Sequence, residues 1–194
     1  VVIGVILFAL LGKDPVRGLQ VFFWEPIKSG YAWGELLVKA TPLLLIALGL
    51  AVCFRSNVWN IGAEGQYVMG AIAASVVALM ADKTTGGWIV LAILLAGVLG
   101  GMLWGGLTAL LRDRFNANEI LVSLFLVYIA VQLLGYLVAG PLKDPQGYNF
   151  PQSRTFDAGA RIPRLFTGSR VSIGALLALP GVVGISGSLF RTLA

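Results

Sequence analysis

The chain has 194 residues, of which 58% are hydrophobic and 12% charged, with 14 Lys or Arg against 9 Asp or Glu and a net charge of +5. A mean hydropathy of +0.88, with roughly half the charged fraction of a typical domain, excludes an ordinary soluble protein. Basic residues scattered singly disfavour nucleic acid as a partner, a lone cysteine excludes an internal disulfide, and the lack of histidine removes the commonest metal ligand and general base.

Several apolar runs approach the roughly 20 residues needed to cross a hydrocarbon core of about 30 Å. They predict an all-α, polytopic membrane helical bundle of about six spans, one of them broken or re-entrant. Residues 1–11 are apolar and begin without Met, so they are expected to be the end of a first span. A connector over 12–34 mixes Lys13, Asp14, Arg17, Glu25 and Lys28 with Phe22, Phe23, Trp24, Tyr31 and Trp33. That mixture suits the headgroup belt, with a short interfacial helix over 16–24. The second span is expected over 36–54, where Lys39 can snorkel and Pro42 either kinks the helix or begins its regular part.

The third span is expected over 58–81, ahead of the polar connector Asp82–Gly87. Its opening is unusual: Asn60, Glu64 and Gln66 are interleaved with Gly62 and Gly65. A carboxylate inside a membrane costs about 3 kcal/mol on insertion scales, so it is retained where it faces a cavity, a partner or the surface. Each glycine lowers helix stability by about 1 kcal/mol relative to alanine, which predicts a break between Asn60 and Gln66. Broken membrane helices are used to hold polar substrates or ions. The plainer alternative is that Ser56 or Asn57 caps the helix and Glu64 lies about 10 Å below the surface, satisfying nearby donors. Trp59 and Tyr67 flank the run and could stack on a flat ring or serve as interface aromatics.

The fourth span, 88–111, repeats Gly97, Gly101, Gly105 and Ala109 every fourth residue, a stripe for close helix packing. Asn116 or Asn118 is positioned to cap the fifth span, 118–139, with Glu119 in its first turn. Glu119 shares a face with Ser123, and Tyr128 shares another with Gln132; hydrogen bonding across helices accounts for most such pairs. The segment 140–169, with Pro141, Pro145, Pro151 and Pro163 among charged and amide residues, is too polar for lipid and forms the largest exposed loop. A last span over 171–190 holds Pro180 and Gly181. Counting Lys and Arg alone would put the long loop in the cytoplasm.

Residues 41–71, TPLLLIALGLAVCFRSNVWNIGAEGQYVMGA, and 114–130, RFNANEILVSLFLVYIA, closely resemble bacterial ABC importer permeases of the branched-chain amino acid, ribose and nucleoside superfamily. The NIGAEGQ at Asn60–Gln66 and the ANE at Ala117–Glu119 look like the nucleoside, or simple sugar, branch. Val127 departs from the family pattern, which has an asparagine before Tyr128-Ile129-Ala130.

The resemblance implies a multi-pass permease in the bacterial plasma membrane that moves a nucleoside or related sugar-like solute by alternating access. It implies as partners an ABC ATPase subunit, a second permease subunit, an extracytoplasmic substrate-binding lipoprotein and the lipid bilayer. It also places the N-terminus in the cytoplasm, the loop outside and the ATPase-coupling helix after Ala194, so this stretch alone would insert but not support uptake. No GxxxxGK[ST] phosphate loop occurs, so ATP hydrolysis is expected in a separate subunit, with no catalytic residue, cofactor or metal in this chain. Asn60, Glu64, Gln66, Tyr67 and Asn118 are the candidate pathway or gate residues. The competing readings are a secondary transporter, proton- or ion-coupled through Glu64, and an assembly or anchoring subunit.

Overall fold

A computed structural model describes residues 1–82, 86–148, 150–165, 170–174 and 184. Among them the secondary structure is helical: α1 (Val2–Leu10), α2 (Pro15–Phe23), α3 (Glu25–Lys28), α4 (Gly30–Arg55), α5 (Ala63–Leu79), α6 (Trp88–Phe115) and α7 (Glu119–Ala139), with one 3-10 turn at Ala158–Ala160. Of these, α4, α6 and α7 are long and apolar enough to cross a membrane. The chain is an all-α membrane helical bundle. Two compact units divide it, Val1–Leu48 with Pro163–Ala194, and Gly49–Ile162.

In the first unit, α1 is nine residues long. Gly12, with φ +65°, turns the chain, and Asp14 caps α2 by accepting from the Val16 N–H at 2.9 Å, ahead of Pro15 in the first helical position. Phe8 packs so close to Gly18 that a Cβ there would lie 2.8 Å from its ring. Ser29 Oγ accepts from the Ala32 N–H at 3.2 Å, at the head of α4. This local cap, with the Trp33 indole donating to the Ile27 carbonyl at 3.1 Å, explains why α4 begins before the expected residue 36. Pro42 falls inside the helix, one residue after Thr41, whose hydroxyl donates to the Leu37 carbonyl at 2.7 Å. Arg170 pairs with Glu35 at 3.3 Å.

The second unit is built on α5, α6 and α7. Three residues join α6 to α7, with Asn116 in the left-handed conformation (φ +51°) ending α6 and Asn118 capping α7. Successive helices run antiparallel, so α5 and α7 begin at the end where α6 finishes. At the opposite end Ala78, Ala81, Ile89 and Ala160 form a small core, with Phe156 packed against it. Arg154 from the loop donates to the Leu79 carbonyl at 2.7 Å, supplying a cation and a donor to the last turn of α5. A short antiparallel bridge between Lys143 and Ser153 closes the loop on itself.

The third expected span differs from the helix found. α5 covers Ala63–Leu79 instead of 58–81, and the break includes Asn60–Gly62 at the start of the expected Asn60–Gln66 stretch but begins earlier and ends before Glu64. Asn57 is left-handed with φ +55°, which ends α4, and residues 58–62 are not helical. The 17 residues of α5 give a length of about 25 Å, short of a full crossing. Most of the expected last span, 171–190, lies outside the described residues.

Candidate functional site

The glycines around the polar run are there for space. At Gly62 a Cβ would lie 2.9 Å from both the Cβ and the carbonyl oxygen of Ser123; at Gly65 it would lie 3.0 Å from the Val127 Cα and 3.3 Å from the Trp104 indole nitrogen. Along the other side of α5, a Cβ on Gly70 would lie 2.8 Å from the Gly97 carbonyl oxygen, and one on Gly101 would lie 3.2 Å from the Gln66 carbonyl oxygen. A Cβ on Gly105 would lie 3.0 Å from the Gln66 side-chain amide nitrogen, and one on Gly97 would lie 3.5 Å from the Ala74 Cβ. The stripe Gly97, Gly101, Gly105 therefore lies against α5, and α7 covers a different part of it. Backbones this close allow dense packing without large side chains.

Residues 58–62 are tied to α7 by side chains. Glu119 Oε1 accepts from the Trp59 N–H at 2.8 Å, and Ser123 Oγ accepts from the Ile61 N–H at 3.3 Å while donating to the Ile120 carbonyl at 3.1 Å. Ser123 is completely buried. The other Glu119 oxygen pairs with Arg112 from the last turn of α6. One carboxylate thus joins the end of α6, the start of α7 and the segment before α5. The Trp104 indole adds a bond to the Leu126 carbonyl at 3.3 Å.

The five candidate residues fall into two groups. Asn60 is half-buried, and its amide oxygen accepts from the Gly62 N–H at 2.9 Å. Asn118 Oδ1 accepts from the N–H groups of Ile120 and Leu121 at 3.0 and 3.3 Å. Asn118 thereby caps α7, and Asn60 closes a local turn just ahead of α5. Gln66 is half-buried against α6. Glu64 and Tyr67 differ: three residues apart on α5, they project from a face that neither α6 nor α7 covers, and Tyr67 is 54% exposed. Glu64 sits in the first helical turn, where the helix dipole favours a carboxylate.

Val127 is buried, with its Cα against Gly65, so the position that departs from the family pattern packs between α7 and α5. Glu119 was legible in the sequence as a polar residue sharing a face with Ser123, but its link to Trp59 spans 60 residues and leaves no local signal. A hollow of about 240 Å³ in the first unit is lined by Pro26, Tyr31, Ala32, Glu35, Leu36 and Lys39.

The family model described as "Branched-chain amino acid transport system / permease component" matches residues 33–189. The chain is 37% identical to the glucose ABC transporter permease protein TsgB13 of Haloferax volcanii over 84% of its own length and 42% of that protein's. Against the guanosine ABC transporter permease protein NupP of Bacillus subtilis it is 32% identical, over 74% of this chain and 41% of the relative. Against the nucleoside ABC transporter permease protein NupB of Lactococcus lactis the figures are 26%, 70% and 37%. The chain spans about two fifths of the length of these relatives. No solved structure gives a significant match.

Proposed function

Because the chain belongs to the family of branched-chain amino acid transport system permease components, we propose that it is part of the membrane-spanning subunit of an ATP-driven importer for a nucleoside or related sugar-like solute. The observation that carries the choice of solute is the match, over the same stretch, to permeases named for glucose, guanosine and nucleosides. The other components would be a separate ABC ATPase that hydrolyses ATP, a second permease subunit and an extracytoplasmic substrate-binding lipoprotein. The setting would be a bacterial plasma membrane.

The uncovered face of α5 supports a role in the pathway. Glu64 forms no ion pair with another described residue, and an intramembrane carboxylate without a partner calls for one. Sugar hydroxyls are donors that a carboxylate accepts, and the Tyr67 ring offers a flat apolar surface to a sugar or base. No covalent step is required. The solute passes as the subunits exchange outward- and inward-open states, with ATP binding favouring one of them. Asn60 and Gln66 would act by fixing where the α5 face points.

Uptake in cells carrying the full-length permease with its partners tests the reading. Glu64→Gln and Tyr67→Ala should each reduce uptake about tenfold or more, the effect of losing roughly 1.4 kcal/mol of interaction. An ATPase-dead partner should abolish uptake. Continued uptake with the dead ATPase would support the competing carrier in which Glu64 binds a proton or cation, and unchanged uptake in both variants would remove this face from the pathway.

A further inference from the structure

We infer that Glu119 is a positioning residue for transport: its carboxylate fixes the non-helical segment 58–62 and through it the first turn of α5, from which Glu64 and Tyr67 project. The inference rests on the reading of that face as the pathway and adds the group that sets its position. The segment has little structure of its own. Its internal bonds are Asn60 N–H to the Val58 carbonyl at 3.2 Å and the Asn60 side chain to the Gly62 N–H at 2.9 Å. The N–H groups of Trp59 and Ile61 are instead satisfied by Glu119 and Ser123, four residues apart on one face of α7. Two residues beyond Gly62 stands Glu64, so a displacement of the segment is passed to it directly.

Of the two attachments, the one to Glu119 is charge-assisted and shorter, which makes it the stronger. The Glu119 side chain is 13% exposed, whereas its ion-pair partner Arg112 is 48% exposed. Water screens the Coulomb part of that pair, and losing the Arg112 charge leaves the Glu119 bond to the Trp59 N–H in place. The order of effects follows: loss of the Glu119 carboxyl displaces the segment, and loss of the Arg112 charge displaces it much less.

The test uses the full-length permease with its partners, in a Cys53→Ser background carrying Ile61→Cys as a reporter. Ile61 is 49% exposed, and its substitution leaves the backbone N–H in place. Glu119→Ala should raise the maleimide labelling rate at position 61 roughly tenfold and the half-saturating solute concentration severalfold, because the Trp59 N–H loses its charged acceptor and the segment its charge-assisted tie to α7. Glu119→Gln, whose amide oxygen still accepts from Trp59, should keep both within about twofold of the parent, as should Arg112→Gln. An unchanged labelling rate in Glu119→Ala overturns the inference, and so does faster labelling with unchanged uptake kinetics, which would make the contact purely structural. If Glu119→Ala does not accumulate, Glu119→Met, which keeps the side-chain length but removes the carboxyl acceptor for the Trp59 N–H, is read by the same two measurements and the same criteria. Normal uptake by Glu64→Gln and Tyr67→Ala alongside a shifted Glu119→Ala would refute the pathway reading of those two residues while leaving Glu119 as the group that sets the segment.

Discussion

Glycine in a membrane helix can loosen the backbone or let another backbone come near, and the two roles make opposite predictions for alanine. At Gly62 the nearest atoms to an added Cβ are the Cβ and carbonyl oxygen of Ser123, both at 2.9 Å, and a backbone atom cannot swing aside. Gly62→Ala should therefore destabilise the protein by about 1–3 kcal/mol, the range for overpacking. At Gly105 the nearest atom is the terminal nitrogen of the flexible Gln66 side chain, at 3.0 Å, so Gly105→Ala should cost less. Thermal unfolding of the purified full-length permease in detergent checks the order. If Gly62→Ala melts at or above the parent temperature, the glycine serves flexibility and the packing account is wrong.

Helices were legible in the sequence where their determinants are local, and their limits were not where the determinants are distant. The caps at Asp14 and Asn118 each lie within three residues of the N–H groups they satisfy, and the runs that became α6 and α7 declare themselves by composition. The start of α5 does not. It depends on the left-handed Asn57 and on bonds from Trp59 and Ile61 to residues about sixty positions away, so the polar run read as a helix opening is partly an approach to one. The identity of the pathway candidates was readable from polarity alone, but not that Asn60 and Asn118 spend their amide oxygens on local backbone N–H groups. The far end of α5 has the same non-local character, since Arg154 reaches Leu79 across 75 residues. Arg154→Ala should leave the last turn without its cation and cost about 1 kcal/mol, little enough for the helix to persist. Hydrogen exchange would show it as faster exchange in the last turn of α5 and in the nearby loop, with α6 and α7 unaffected. Unchanged exchange at both places would mean that the guanidinium contributes nothing there.

For the molecule as a membrane protein, the antiparallel order of α5, α6 and α7 puts the α6–α7 turn at one end of the second unit and the loop after α7 at the other. Both α6 and α7 are long enough to cross, so that turn and that loop should lie on opposite faces of the membrane. Charge counting does not decide which face is which. The loop side has more Lys and Arg, yet the family resemblance places the loop outside, and the cations at both ends have structural partners: Arg112 binds Glu119, and Arg154 binds the Leu79 carbonyl. Single cysteines at Asp113 and Gln146, both exposed, in the Cys53→Ser background separate the possibilities. With a membrane-impermeant maleimide added to intact cells, the cysteine at 146 should label and the one at 113 should label only after permeabilisation. The reverse pattern would invert the orientation and keep the helix arrangement. Labelling of both from outside would mean that α7 does not separate the two positions, and the shared end of α5, α6 and α7 on which the pathway reading depends would have to be abandoned.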